Sequence, residues 1–274
     1  MNNYLYKYFK FKKRFGQNFL MDNKVINKII NFINPKFDDN IFEIGAGSGC
    51  LTRALYNCVD KLSVIEIDNV LYNFLKKMFL KKNVNIFNEN ILKFDFKNFL
   101  KYNYPIRIVG NIPYNISIHI IFYCFNFLHK IQDMYFMVQY DVAKKMSALV
   151  GTKSYGKLSI FLQYYCSIKI LFDVEAKSFF PSPNVNSCFI KLSPLKRSFN
   201  KYLNITHFKY IVSKAFSQRR KTLKNSLSKI FDKNDFIKLN IDYSLRAQNL
   251  NIIEYCKLSK YFSKNAFNKN LYIN

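Results

Sequence analysis

Ile41-Phe42-Glu43-Ile44-Gly45-Ala46-Gly47-Ser48-Gly49 sets a short run of strand character directly before three glycines at alternate positions. Glycine lets the backbone turn tightly and lets a ligand approach the chain itself. A segment of helical period, residues 51–56, follows at once. Strand, glycine turn and helix in that order form the opening unit of a nucleotide-binding α/β sheet. Alone the string decides little, because dinucleotide enzymes, kinases and plain tight turns carry similar ones.

Outward from it, short apolar runs at residues 41–44, 62–67, 84–87, 106–109 and 134–138 alternate with helical-period segments at 51–56, 70–79, 117–127 and 142–149. That rhythm predicts a mostly parallel sheet built from strand–helix units. After the fifth strand it changes: 159–165 is helical, then strands at 168–174 and 188–192 flank a proline-marked loop and are expected to pair antiparallel on the sheet edge. Residues 193–200, with Pro194 and a basic pair, mark the boundary. Beyond them every periodic stretch is helical, so residues 1–195 are expected to form the α/β domain and 196–274 a small helical one. The Lys- and Asn-rich ends, 1–13 and 265–274, are expected to be mobile.

The second strand sharpens the glycine signal. Glu66 stands near its carboxyl end, where a carboxylate accepts hydrogen bonds from two ribose hydroxyls. Asp68 suits the N-cap of the following helix. With no GxGxxG and no Arg beside Glu66, a nucleoside-sized cofactor fits better than a pyrophosphate, and adenosine carrying a sulfonium is one.

The chain of 274 residues carries 43 Lys and Arg against 17 Asp and Glu, a formal charge of +26. A polyanionic partner is one reading. Compositional bias is the other, since Lys, Asn, Ile, Phe and Tyr are all abundant and Trp is absent. Six cysteines without a CxxC pair and three isolated histidines imply neither a zinc site nor a disulfide framework. No export signal and no run of about 18 uncharged apolar residues is present. A cytoplasmic protein that holds no metal and meets no membrane is expected.

Asn111-Ile112-Pro113-Tyr114 closes the fourth strand. The N6 amine of adenine is a poor nucleophile because its lone pair is delocalised into the ring. Two acceptors, the Asn111 side-chain oxygen and a carbonyl of the 112–113 stretch, could hold both N–H groups and turn the lone pair outward. Tyr114 would stack on the purine, so catalysis would rest on positioning and preorganised dipoles. The plainer reading is a proline-stiffened turn with a packed tyrosine.

These strings, together with Arg14-Phe15-Gly16-Gln17-Asn18-Phe19-Leu20, Tyr155-Gly156-Lys157-Leu158-Ser159 and Phe216-Ser217-Gln218-Arg219-Arg220-Lys221-Thr222-Leu223-Lys224-Asn225-Ser226-Leu227, run in order through the chain. In them the sequence resembles the ribosomal RNA adenine N6,N6-dimethyltransferases that act on the small subunit. The resemblance implies a Rossmann-like class I methyltransferase sheet with helices on both faces, followed by a helical domain contacting RNA. S-adenosylmethionine is then the cofactor, and two adjacent adenosines in a hairpin loop near the 3′ end of 16S rRNA the target. It further implies a monomer working on the immature 30S subunit, with a role in small-subunit biogenesis. By the same resemblance Asn18 and Leu20 close over the cofactor, Gly45 and Glu66 hold its methionyl and ribose parts, and Asn90 meets its adenine. Asn111 touches cofactor and target, Pro113 and Tyr114 build the base pocket, and Phe179 is a second aromatic wall.

Three departures stand out. The family usually has Asp at Asn90, and a neutral bond there weakens cofactor affinity by about 1 kcal/mol. Lys and Asp are usual at Asn184 and Asn186, and Lys-Glu at Tyr140-Asp141. Residues 213–229 read as an amphipathic helix with a cationic side on which Arg219, Arg220 and Lys221 could clasp RNA phosphates. The target adenine must lie in a loop or be flipped out. Two other functions compete. A large-subunit rRNA methyltransferase of the antibiotic-resistance kind shares the glycine loop and Asn-Ile-Pro-Tyr but lacks the 216–227 string. A binding protein that has lost catalysis has Asn90 as its only hint.

Overall fold

The structure, a computed structural model, describes residues 16–101, 105–195 and 203–265. They divide into two compact units: the described residues up to Ala143 with Lys169–Pro194, and Lys144–Ile168 with the described residues from Leu195 onward.

In the first unit the expected strands appear as β2 (Asn40–Ile44), β3 (Lys61–Ile65), β4 (Val84–Phe87), β5 (Ile106–Gly110) and β6 (Ile131–Gln139), paired parallel to one another. β7 (Cys166–Val174) and β9 (Ser187–Pro194) complete a sheet of order β4-β3-β2-β5-β6-β9-β7, with β9 antiparallel to β6. The expected late strand pair thus lies at the sheet edge. A separate pair, β1 (Phe19–Leu20) and β8 (Phe179–Phe180), sets Phe19 opposite Phe180 and Leu20 opposite Phe179; two residues per strand are too few for period-two alternation to reveal.

β2 is buried on both faces, as its apolar run requires. Ile41 packs in a cluster with Ile29, Leu55 and Leu75 of the helices Asn23–Ile33, Cys50–Tyr56 and Asn69–Met78. Phe42 points the other way into Phe94, Phe96 and Phe99, and Phe96 meets Tyr123 of the helix Ser117–Phe125. Full burial of such a ring contributes about 1.5–3 kcal/mol. The helix Asn23–Ile33 starts where Asp22 accepts the Lys24 N–H at 2.8 Å and stops at Asn34, φ 47°. A buried ion network crosses the strands: Arg107 of β5 donates to Asp39, Asp133, the Ile33 carbonyl and the Tyr135 hydroxyl.

The sheet order reverses where β2 lies between β3 and β5. Ligands of open α/β sheets bind outside the carboxyl ends of the strands at such a switch point. Gly45 and Asn111 follow the ends of these two neighbouring strands.

The second unit is helical, with the helices Lys157–Tyr165, Ile205–Ala215, Leu223–Ser226, Lys233–Lys238 and Ile252–Asn265. Its division differs from the expected boundary after residue 195. Ala148, Tyr155 and Ile160 are buried in one core with Phe208, Leu223 and Tyr255, so residues 144–168 belong with the C-terminal helices. Part of the expected boundary, 196–200, lies outside the described residues, as do the ends expected to be mobile except Asn265, which closes the last helix.

The helix expected over 213–229 is corrected. The helix ends at Ala215, a 3-10 turn covers Phe216–Gln218, and a short helix resumes at Leu223–Ser226. The backbone N–H groups of Leu223 and Lys224 donate to the carbonyls of Leu245 and Tyr243, and Thr222 bridges Arg246. Pairing with a returning segment replaces the i→i−4 ladder, a tertiary override that periodicity does not register.

Candidate active site

A cleft with about 1070 Å³ of empty space, part of it open to solvent, lies over the carboxyl ends of β2, β3 and β5 in the first unit. Asn18, Leu20, Gly45, Glu66, Asn90, Asn111, Pro113 and Tyr114 all line it.

The glycine turn is its floor. Gly45 and Gly47 have φ of 72° and 57°, which side-chain-bearing residues rarely adopt. A Cβ on Gly47 would stand 2.7 Å from the Phe19 ring, so this position is reserved for hydrogen. The Gly47 N–H donates to Glu66 Oε2 at 2.8 Å and the Asp68 N–H to Glu66 Oε1 at 2.9 Å. The carboxylate keeps acceptor capacity for a ribose hydroxyl. Burial pushes the Glu66 carboxyl above its ordinary range, against the opposing pull of the Asp68, Gly47 and Ile67 N–H groups. Asp68 caps the next helix as expected, accepting the Val70 N–H at 3.0 Å, and also holds Gln17 Nε2 at 3.1 Å.

Over the cleft, Asn111 Nδ2 donates to the Asn18 carbonyl at 2.8 Å. Only the amide nitrogen can make that bond, so the Asn111 oxygen is left as the acceptor. The Pro113 carbonyl accepts the Ile116 N–H. The Tyr114 hydroxyl meets Ser187 Oγ at 2.5 Å, which pins the ring; burial raises its pKa. Asn90 Oδ1 accepts the Leu92 N–H at 3.0 Å and so caps a 3-10 turn. Asn186 Oδ1, where the family has Asp, accepts the Ala176 N–H at 3.1 Å, while Asn184 is exposed. The backbone of Tyr140 donates to the Asn186 carbonyl, and nothing here explains the side-chain change at Tyr140-Asp141.

Phe179 is buried in the core under β1 and is not among the residues lining the cleft. Arg219, Arg220 and Lys221 belong to the second unit. There all three are exposed, and the Arg219 guanidinium donates to the Lys153 and Tyr155 carbonyls and to Gln248 Oε1. Arg14 and Phe15 lie outside the described residues.

Two further residues come from the structure. Gln17 ties the N-terminal motif to Asp68. Glu43, inside β2, lines the cleft at 1% exposure, and its Oε2 has no hydrogen-bond partner. A carboxylate inside an apolar strand was the available signal. Glu43, Glu66 and Glu89 line the cleft, and among the described residues no Lys, Arg or His does. In a chain of charge +26 this is a local inversion that favours a cationic ligand. Positive-φ glycines, spare carboxylate acceptor capacity and an orphaned buried oxygen all fit a nucleoside with a cationic end.

Residues 8–264 match the family described as Ribosomal RNA adenine dimethylase. A protein of Buchnera aphidicola subsp. Schizaphis graminum, named Ribosomal RNA small subunit methyltransferase A, is 48% identical over 259 residues, 94% of each chain. The Legionella pneumophila (strain Corby) protein of the same name is 41% identical over 253 residues, 92% of this chain and 98% of its own. The crystal structure of a dimethyladenosine transferase from Plasmodium falciparum is similar with TM-score 0.79 at 26% identity, covering 90% of this chain and 98% of that one. The 23S rRNA methyltransferase ErmE reaches TM-score 0.72 at 20% identity, covering 90% and 100%, a likeness of fold alone.

Proposed function

The chain belongs to the ribosomal RNA adenine dimethylase family, and from that premise we propose that it is an S-adenosylmethionine-dependent methyltransferase that dimethylates N6 of two adjacent adenosines in a hairpin loop near the 3′ end of 16S rRNA. The observation that carries the reading is the Asn111 amide, whose nitrogen is committed to Asn18 and whose oxygen is thereby left to accept an amine N–H.

Bound in the cleft, S-adenosylmethionine supplies an electrophilic methyl group on its sulfonium sulfur. Gly45 and Gly47 let the backbone approach the cofactor, Glu66 offers its remaining acceptor capacity to the ribose, and Leu20 and Asn18 cover it from above. At the target, Asn111 Oδ1 takes one N–H of the adenine amine. With the Pro113 carbonyl engaged by Ile116, the Ile112 carbonyl is the acceptor available for the other. Holding both hydrogens in these acceptors turns the nitrogen lone pair out of conjugation with the ring. Tyr114, pinned through Ser187, fixes the plane of the base. Positioning and fixed dipoles then do what a strong base does elsewhere.

Asn90 already gives one lone pair of its oxygen to the Leu92 N–H, and as a neutral acceptor for the cofactor's adenine amine it would bind more weakly than the family's Asp. Phe179 supports the base pocket from behind through its pairing with Leu20. Arg220 and Lys221, exposed on the helical unit, are the candidates for RNA phosphates. On this reading the substrate particle is an immature small subunit, met by a monomer in the cytoplasm, and the net charge supports the polyanionic partner alone; no helix of the described residues is long and apolar enough to cross a membrane.

Incubation of the purified protein with methyl-labelled S-adenosylmethionine and immature small subunits tests the reading. Label in dimethyladenosine of the small-subunit RNA is expected. Cofactor binding without label in RNA would leave a binding protein and sink the enzyme.

A further inference from the structure

We propose that Glu43 is the counter-charge for the cationic end of the cofactor, and that it surrenders a proton as that cation enters the cleft. The proposal rests on the functional reading above for the identity of the ligand.

The geometry is specific. Glu43 stands in β2 two residues before Gly45, faces the cleft, is 1% exposed, and leaves Oε2 without a partner. A buried unpaired carboxylate is costly, and the usual resolution is to take up a proton. Its surroundings offer little to hold the charge. Thr52, on the helix Cys50–Tyr56, brings a hydroxyl beside it, and Arg53 next to Thr52 reaches Cys50 Sγ at 3.7 Å. From β3 comes Glu66, a like charge, with Asp68 behind it. From the end of β5 come Asn111 and Tyr114, both neutral. Arg107, one same-face step back along β5, is committed to Asp39 and Asp133. Burial accordingly pushes the Glu43 carboxyl up to about 7, with Thr52 pulling it down and Glu66 adding to the rise.

A ligand bringing positive charge reverses that balance. An opposite charge within a few ångströms favours the ionised acid, so binding and ionisation are linked. The neutral acid gives up its proton to solvent and the carboxylate remains as the partner of the cation. Below the acid's own range the linkage predicts that affinity climbs with pH, by about tenfold from about pH 5 to about pH 6. A neutral nucleoside of the same shape brings no such effect.

Calorimetric titration of the full chain in two buffers of different ionisation heat counts the protons. With S-adenosylmethionine, close to one proton released per cofactor is expected at about pH 6; at about pH 8 Glu43 releases almost none, and the cofactor's own α-amino group, which titrates near there, takes up part of a proton. Neutral 5′-methylthioadenosine should bind with no release at either pH. In Glu43→Gln the release at about pH 6 should vanish and the affinity become independent of pH below about pH 7. Cofactor binding with no proton release at about pH 6, or undiminished release in Glu43→Gln, overturns the proposal while leaving the functional reading intact. Failure of S-adenosylmethionine to bind at any pH removes that reading and this proposal together. The contrast between the cofactor and the neutral nucleoside is measured on the unaltered chain, so it decides the matter even if Glu43→Gln does not fold.

Discussion

Glu43, within β2, and Asn111, just past the end of neighbouring β5, are polar groups with opposite histories in the sequence. Asn111 announced itself, because an Asn followed by Pro and Tyr at a strand end has an immediate use in holding an amine. Its bond to the Asn18 carbonyl adds what the string could not show, the direction in which the amide points. Replacing Asn111 by Ala removes the acceptor. Methyl transfer should fall by about a hundredfold or more with RNA affinity near normal; single-turnover transfer and filter binding on the same variant check both halves, and unchanged turnover would remove Asn111 from the mechanism. Glu43 was hidden in the glycine motif itself, read as part of a strand, because burial is a three-dimensional property. Its raised carboxyl has a consequence for stability as well as for binding. Between its unfolded value and about 7 the native state holds a proton that the unfolded chain has already lost, so ligand-free stability falls as pH rises through that window. Glu43→Gln does not titrate, and should raise the melting temperature of the ligand-free protein above that of the parent at about pH 8 by the equivalent of on the order of 2 kcal/mol, but not at about pH 5. Scanning calorimetry at the two pH values is the check.

Elements were legible in proportion to their length and to how far their pairing is local. β2 to β6 and the helices Cys50–Tyr56, Asn69–Met78 and Ser117–Phe125 were expected within a few residues, because a strand buried on both faces and an amphipathic helix carry different periods, while the four-residue helix Phe96–Phe99 was too short to read. β1 and β8 pair across about 160 residues of chain with only two residues each, and no pattern of such brevity exists to be read. The loop between β2 and the helix Cys50–Tyr56 depends on that hidden pair, since Phe19 of β1 occupies the space a Gly47 side chain would need. Gly47→Ala should drive the Phe19 ring aside and strain a φ of 57°, lowering cofactor affinity at least about tenfold at modest cost in melting temperature; calorimetric titration measures it. In the helical unit, the backbone of Leu223 and Lys224 found partners in a distant segment, and the basic run therefore breaks at Arg219. Arg219 clasps two carbonyls and Gln248 of its own unit. Arg219→Ala is expected to lower the stability of the chain by about 1 kcal/mol or more, whereas Arg220→Ala should leave stability unchanged and weaken RNA binding. Thermal melts and binding curves on the pair separate these roles, and equal loss of RNA affinity without any loss of stability in Arg219→Ala would return that residue to the phosphates.

Over the whole molecule, charge is the property whose meaning changed most between sequence and structure. A formal +26 spread along the chain could reflect composition alone, and nothing in the order of residues separates that from function. The cleft separates them in part, because its charged lining among the described residues is Glu43, Glu66 and Glu89. A cationic chain thus carries an anionic hollow, and the two ligands of the proposed reaction have the matching signs: a polyanionic RNA and a cofactor with a positive end. The two fields should respond differently to salt. RNA binding releases condensed counterions, and neutralising about three phosphates already gives about a hundredfold loss of affinity for each tenfold rise in salt. Cofactor binding acts at short range within a buried cleft, where screening is weak, and should change by no more than a few-fold over the same range. Measuring both affinities on one preparation across a salt series tests the division. Parallel, steep curves would place the cofactor's charge in contact with solvent and contradict the buried pairing with Glu43, while a flat RNA curve would assign the excess of lysine to composition.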